Sequence, residues 1–135
     1  MGHVRQMLET HPGTIGIDVD ALVACIDACF DCGQTCTACA DADLGEPDLA
    51  TLVRCTALCR NCSDVCIATG RLLSRQTEFV PGLARPLVEA CRTACRIAGE
   101  ECKRHAHHHE HCRICAEVCD ECEQACHALL AALAS

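Results

Sequence analysis

Cysteine is the residue in this chain whose number and spacing point to chemistry, with 17 among 135 residues. In three segments the cysteines recur at alternating steps of three and four residues, which is the spacing of one helical face. These runs are Cys25, Cys29, Cys32, Cys36 and Cys39; Cys55, Cys59, Cys62 and Cys66; and Cys112, Cys115, Cys119, Cys122 and Cys126. A fourth segment carries Cys91, Cys95 and Cys102, with Ala98 and Gly99 where a further thiol is due. The spacing therefore predicts thiols along one face of each of four helices.

Thiol pairs at these spacings are suited to soft metal ions. Zn²⁺ prefers four ligands in closed sets that are usually formed by turns, and iron–sulfur clusters also need four defined cysteines. Cu(I) prefers thiolate and accepts two or three sulfurs. Each Cu(I) that displaces one thiol proton leaves the charge of a buried core unchanged, so we expect roughly 15–20 Cu(I) ions per chain. The alternative is a zinc or mixed-metal sequestration protein.

Three other roles for the cysteines are disfavoured. As small hydrophobes they would be poor substitutes for leucine, which buries more apolar area. Disulfides need Cβ atoms about 3.5–4.5 Å apart, closer than helical i,i+4 pairs, although bridges between helices remain open. A thiol redox protein needs one exposed cysteine of low pKa at a helix N-terminus, and here no cysteine stands apart from the rest. We therefore predict that the protein is not an enzyme.

A histidine-rich stretch, residues 105–111, lies between the third and fourth cysteine segments. On a continuous helix, a histidine three or four residues from a cysteine would point to the same core line. The imidazoles predicted as metal ligands on this basis are those of His105, His108 and His111. His107, which lies in the same stretch, is predicted as a ligand with them. In an up-down-up-down bundle this stretch lies at one end, where we expect copper to enter, and five leucines close the other end: Leu22, Leu73, Leu87, Leu129 and Leu130. A solvated polar loop is the alternative for the histidines.

The elements that must position these residues are four helices joined by short linkers. We predict helices at about 18–40, 47–73, 82–105 and 108–133, with Asp18 as an N-cap and Pro47 as a first helical residue. Residues 1–17 form a short leading segment, in which a helix would place Val4, Met7 and Leu8 on one side. The prediction is one all-α domain, residues 1–135, folded as an antiparallel up-down-up-down four-helix bundle with a cysteine-lined core.

Composition and charge exclude other partners. The formal net charge is −8, Lys and Arg number only 11, and Trp and Tyr are absent, so the basic surface and stacking aromatics of a nucleic-acid-binding protein are missing. No run approaches the length of a transmembrane helix. The first residues lack the apolar region of an export signal, and we expect a cytoplasmic protein with reduced thiols.

The repeated C-x-x-x-C-x-x-C runs and the histidine-rich turn between helices three and four resemble the bacterial copper storage proteins, specifically their cytosolic branch. The resemblance extends over residues 18–133. It implies a homotetramer of four-helix bundles, each filled with Cu(I) held mostly by cysteine pairs, and a role in storing or buffering copper in the cytosol. A copper donor or acceptor chaperone is a further expected partner.

Overall fold

The structure is a computed structural model that describes residues 2–134. Four long helices follow a short one, and the described residues contain no strand. The helices are α1 (Val4–Glu9), α2 (Val19–Leu44), α3 (Val53–Leu73), α4 (Pro81–His105) and α5 (Glu110–Ala134). A 3-10 turn at Leu49–Thr51 lies between α2 and α3. None of the described helices combines the length and the hydrophobicity that a membrane crossing requires.

The long helices form a closed ring in which each packs against two others. The helix α2 contacts α3 and α5, and α4 contacts the same two helices. Cys25 near the start of α2 meets Cys126 near the end of α5, with 3.9 Å between the sulfurs, so these two helices run antiparallel. The predicted all-α, antiparallel up-down-up-down bundle with a cysteine-lined core is confirmed.

Two helices begin where the sequence predicts, and two begin later. The Asp18 carboxylate caps α2 by accepting hydrogen bonds from the backbone N–H groups of Asp20 and Ala21, at 3.0 and 3.2 Å. The prediction that Pro47 opens the next helix is wrong: the chain makes tight turns there, in which the Leu52 N–H donates to the Leu49 carbonyl at 2.8 Å. Leu52 is fully buried, so these turns anchor the linker in the core before α3 begins at Val53.

The last two long helices are separated by a turn at residues 106–109. The N–H groups of His108 and His109 both donate to the carbonyl of His105, at 3.1 and 3.0 Å, and α5 begins only at Glu110. The predicted start near residue 108 is therefore too early. At the same end of the molecule α2 continues to Leu44, four residues past the predicted end.

The end of the bundle opposite this turn is apolar, as the sequence predicts. Leu22, Leu73 and Leu129 are fully buried there, while Leu87 and Leu130 are half-buried. Truncating a buried leucine to alanine typically costs about 2–5 kcal/mol, so this layer stabilises the bundle without metal. The short α1 adds Leu8 to the core and packs Val4 against it, whereas Met7 is 69% exposed.

Glycine allows close approach where the cysteine pattern of α4 is interrupted. A Cβ atom at Gly99 would lie 3.2 Å from the Cβ of Cys119 on α5. Ala98 beside it is fully buried. A side chain at Gly99 would crowd Cys119, so close packing of α4 against α5 accounts for the absence of a thiol at that position.

Candidate metal centre

All 17 cysteines are buried free thiols that face one another along the bundle axis. Neighbouring sulfurs approach to distances from 3.4 Å, between Cys59 and Cys102, to 4.0 Å, between Cys29 and Cys122. Contacts join sulfurs of different helices as well as of one helix: Cys36 lies 3.6 Å from Cys115 on α5 and 3.7 Å from Cys32 on α2. The thiols therefore form one connected array through the length of the core.

The array contains groups of four sulfurs that lie within 4.8 Å of one another. From the histidine-rich end to the apolar end, four of these groups are Cys39, Cys59, Cys102 and Cys115; Cys32, Cys36, Cys62 and Cys119; Cys32, Cys66, Cys95 and Cys122; and Cys29, Cys91, Cys122 and Cys126. Cys32 and Cys122 each belong to two groups. Because members are shared, these groups cannot all be filled as separate tetrahedral sites, whereas ions that bind two or three sulfurs can share them.

Burial disfavours the thiolate form of these cysteines and so acts to raise their pKa values when no metal is bound. Burial, the largest influence, raises the pKa of Cys112 above its ordinary value. Hydrogen bonds to Cys115 and Cys119, together with burial, raise the pKa of Cys36. A neutral thiol packs as a modest hydrophobe, so a soft cation that replaces the proton preserves the neutrality of the core.

At the histidine-rich end, His111 joins the thiol array. Its Nε2 lies 2.9 Å from a carboxylate oxygen of Glu46, and its Nδ1 lies 3.4 Å from the sulfur of Cys39 and 3.7 Å from that of Cys112. Because the carboxylate accepts a hydrogen bond from the Nε2–H group, the lone pair of Nδ1 is directed at the sulfurs. The hydrogen bond to His111 lowers the pKa of Glu46. His111 is thus positioned to pass a metal ion to two thiols.

The other three predicted imidazoles are placed differently. The Nε2 of His105 lies 3.0 Å from a carboxylate oxygen of Glu101, which is itself buried. His107 and His108 are exposed side chains of the turn. The continuous helix expected to direct His108 at the core does not exist, because α5 starts two residues later. Their proposed role as ligands therefore rests on proximity to the array end.

Asp43 is a site residue that the sequence analysis missed. It is fully buried in the last turn of α2, with Oδ1 3.7 Å from the sulfur of Cys112 and 3.8 Å from Nδ1 of His111. Its Oδ2 lies 3.1 Å from the hydroxyl of Thr56. Burial, the largest influence, raises the pKa of Asp43. The signal was present: Asp43 lies four residues after Cys39 and extends the cysteine face by one step.

His109, also absent from the predicted ligands, holds the two linkers of this end together. Its Nδ1 lies 2.8 Å from Glu46 and its Nε2 2.8 Å from Asp48. The hydrogen bond to Asp48 raises the pKa of His109, and the same contact lowers the pKa of Asp48. With both nitrogens engaged by carboxylates, His109 positions Glu46, and through it His111.

The sequence and the fold of this chain are similar to those of known proteins. The model of a family described as "Copper storage protein" matches residues 18–131. The copper storage protein Ccsp of Streptomyces lividans, in a structure loaded with 10 copper equivalents, is 48% identical, with a TM-score of 0.94 over 96% of this chain and 98% of that one. A structure of copper loading to a cytosolic copper storage protein from the same organism, with five coppers, is 51% identical, with a TM-score of 0.81 over 83% and 93%. An uncharacterized cysteine-rich protein of Bacillus subtilis (strain 168), YhjQ, is 32% identical over 108 residues, covering 80% of this chain and 94% of that protein.

Proposed function

Because the chain belongs to the copper storage protein family, we propose that it stores and buffers Cu(I), with many ions per chain bound by the core thiols. The observation that carries this proposal is the connected array of 17 buried thiols with shared four-sulfur groups. Such an array favours an ion that binds two or three sulfurs and replaces one proton for each ion bound. Storage needs no turnover of substrate, and we propose that the protein is not an enzyme.

Copper enters, in this proposal, at the histidine-rich end. An ion bound between His111, Cys39 and Cys112 lies at the outer end of the array. The side chain of His111 is 25% exposed there. From there successive contacts lead inward: Cys36 lies 3.6 Å from both Cys115 and Cys119, and Cys32 lies 3.8 Å from Cys119. Each step exchanges one sulfur ligand for the next, and the proton of the incoming thiol moves to the sulfur that is left.

We place this function in the cytoplasm, with a copper donor or acceptor chaperone as a partner. Support for the location comes from the S. lividans relative described as cytosolic. Reduced thiols are also maintained there, and the array needs them to bind metal. A chaperone that transfers Cu(I) by ligand exchange would need access to His111, the part of the array that reaches the surface.

An anaerobic titration of the reduced, metal-free protein tests the storage proposal. Cu(I) is added in the presence of a chromogenic Cu(I) chelator, and Zn²⁺ is added in a parallel titration against a zinc chelator. Copper is expected to be retained in large excess over zinc, because each zinc ion bound by four thiolates would leave two uncompensated negative charges in the core. Retention of many zinc ions with little copper would instead establish the zinc or mixed-metal alternative.

We propose a homotetramer in which the face shared by α3 and α4 forms one of the interfaces. A groove of about 470 Å³ runs along this face, lined by apolar side chains that include Leu58, Ala90, Ala94 and Ile97. Ile97 is 39% exposed in the single chain, so a second copy seated here would bury apolar surface. A further charge introduced among these apolar side chains would oppose that burial.

Light scattering of the protein after gel filtration measures the assembly. We expect a mass of four chains for the parent protein and a smaller mass for Ala94→Glu, because the new carboxylate would be desolvated in the interface. Ala128→Glu changes an exposed alanine on α5 and serves as the control, with the parent mass expected. A monomeric parent protein would contradict the proposal.

A further inference from the structure

One cluster at the histidine-rich end differs in chemistry from the rest of the array. Cys39, Asp43, His111 and Cys112 bring two sulfurs, one imidazole nitrogen and one carboxylate oxygen within 4.8 Å of one another. We propose that this cluster, the entrance site, binds one divalent ion of the zinc class, and that this ion must leave before Cu(I) can enter. The inference rests on the proposed copper storage function and adds a competing ion to it.

Asp43 is the residue that Cu(I) storage leaves unexplained. A carboxylate oxygen is a hard ligand, whereas Cu(I) prefers soft sulfur. Burying a carboxylic acid costs free energy unless its oxygens are hydrogen-bonded or bind a metal. Asp43 is fully buried; its Oδ2 accepts from Thr56, but its Oδ1 has the Cys112 thiol, a weak donor, at 3.7 Å. Zn²⁺ accepts thiolate, imidazole and carboxylate together in a four-coordinate site. The donor set of the entrance site therefore fits zinc better than copper.

The surrounding contacts orient the ligands as they do in zinc sites. The Glu46 carboxylate accepts from Nε2 of His111 at 2.9 Å, which directs Nδ1 at the cluster. The Thr56 hydroxyl lies 3.1 Å from Oδ2 of Asp43, on the side away from Cys112, whose sulfur approaches Oδ1. His111 and Asp43 therefore each present one ligand atom, Nδ1 and Oδ1, to the cluster. Their second polar atoms, Nε2 and Oδ2, are hydrogen-bonded to Glu46 and Thr56.

Charge confines such an ion to the entrance. Zn²⁺ with two thiolates, one carboxylate and a neutral imidazole carries one excess negative charge, whereas Zn²⁺ with four thiolates carries two. The deep sulfur groups consist of buried residues alone, whereas the entrance site includes His111, whose side chain is 25% exposed. The larger charge would therefore be placed where desolvation costs most. We expect one divalent ion per chain, at the site nearest to solvent.

A bound divalent ion would occupy the two outermost thiols of the copper route. Cu(I) binds thiolate more tightly than Zn²⁺ does, so copper displaces zinc rather than being excluded. When two Cu(I) ions take the thiolates of Cys39 and Cys112, one Zn²⁺ leaves; the charges balance, and no electron is transferred. Zinc thus slows copper uptake without reducing the final amount stored.

Co²⁺ is the probe for this site, because tetrahedral Co²⁺ has visible bands that zinc binding removes. Reduced, metal-free protein is titrated anaerobically with Co²⁺ and then with Zn²⁺. We expect one Co²⁺ to bind per chain and to give a thiolate charge-transfer band beside the visible bands. Addition of Zn²⁺ should remove the visible bands and the charge-transfer band. Asp43→Asn and His111→Ala should each lower the Co²⁺ affinity at least about tenfold. Asp41→Asn alters an exposed carboxylate on the same helix as Asp43 and should leave the Co²⁺ affinity unchanged.

Several outcomes would overturn the inference: no Co²⁺ binding, binding of several Co²⁺ ions per chain, or a Co²⁺ affinity that is the same in Asp43→Asn and His111→Ala as in the parent. Circular dichroism checks that both variants fold, and His111 is partly exposed, so its removal tests the site even where Asp43→Asn is unstable. If the protein binds no Co²⁺ but still retains many copper ions, only the proposal of a divalent ion at the entrance site is overturned. A low copper count would overturn the storage function.

Uptake kinetics connect the site to storage. Prior addition of one equivalent of Zn²⁺ should lower the initial rate of Cu(I) uptake by the parent protein about tenfold and leave the final copper count the same. In Asp43→Asn the zinc effect should disappear. Equal inhibition of the parent protein and Asp43→Asn by zinc would place the divalent ion elsewhere and contradict the proposal.

Discussion

Replacing Cys32, Cys62 and Cys119 together with alanine is expected to lower the number of Cu(I) ions retained by about three to five per chain. These residues supply three of the four sulfurs of one group, and Cys32 belongs to a second group as well. The sulfur of Cys32 lies 3.9 Å from that of Cys62 and 3.8 Å from that of Cys119. Each missing thiol removes one proton that a Cu(I) ion could replace. The loss of Cys32 also removes a sulfur that ions in the second group would share. The anaerobic chelator titration measures it.

The control for this experiment separates loss of ligands from loss of stability. Each buried sulfur contributes roughly 1 kcal/mol, the value for a methylene-sized group, so the triple variant is destabilised by an amount comparable with one buried Leu→Ala change, about 2–5 kcal/mol. Leu22→Ala removes a fully buried side chain at the apolar end and leaves every thiol in place. It should retain the parent copper count. A folded triple variant with the parent count would contradict thiol-based storage.

Replacing His111 with alanine is expected to slow copper uptake at least about tenfold, the lower end of the effect of losing a metal ligand or its support. The final count should fall by no more than about one ion, because electroneutrality ties capacity to thiols rather than to imidazole. The physical reason is the position of Nδ1, 3.4 Å from the sulfur of Cys39 at the outer end of the array. Stopped-flow transfer from a coloured Cu(I) complex measures the rate.

His127→Ala is the matched control for His111→Ala. His127 is exposed on the same helix, one residue after Cys126, whose sulfur contacts Cys25 at the apolar end. Copper that enters at the histidine-rich end should be taken up by this variant at the parent rate. Equal slowing by both substitutions, or by neither, would show that copper does not enter at His111.

The helices and the thiol face were predictable because cysteine spacing alone encodes them. Steps of three and four residues repeat through α2, α3 and α5, and only a helix brings such residues to one face. The pattern in α4 was incomplete at Ala98 and Gly99, and the structure shows why: Gly99 packs against Cys119, 3.2 Å from where a Cβ atom would lie. A gap in the cysteine pattern of one helix can thus result from close packing against another. Such packing cannot be predicted from the spacing within the first helix alone.

The chemistry of the entrance site was only partly predictable, because it depends on where helices end. Asp43 and Glu46 reach the site because α2 continues to Leu44, which places Asp43 in its last turn and Glu46 just after its end. His108 was predicted from a continuous helix that the turn interrupts, whereas His111 lies inside α5 and meets the thiols. Tertiary contacts from the α2–α3 linker, such as that of Glu46 with His111, are set by turns whose hydrogen bonds a periodic pattern does not encode.

The central claim is that the bundle core is a store of Cu(I) rather than a set of discrete metal sites. The most direct test is the number of Cu(I) ions that the reduced, metal-free protein retains against a chromogenic Cu(I) chelator under anaerobic conditions. Electroneutral replacement of thiol protons predicts retention of about ten or more ions per chain with tight affinity. A plateau at about four or fewer would contradict the account and point to discrete four-ligand sites.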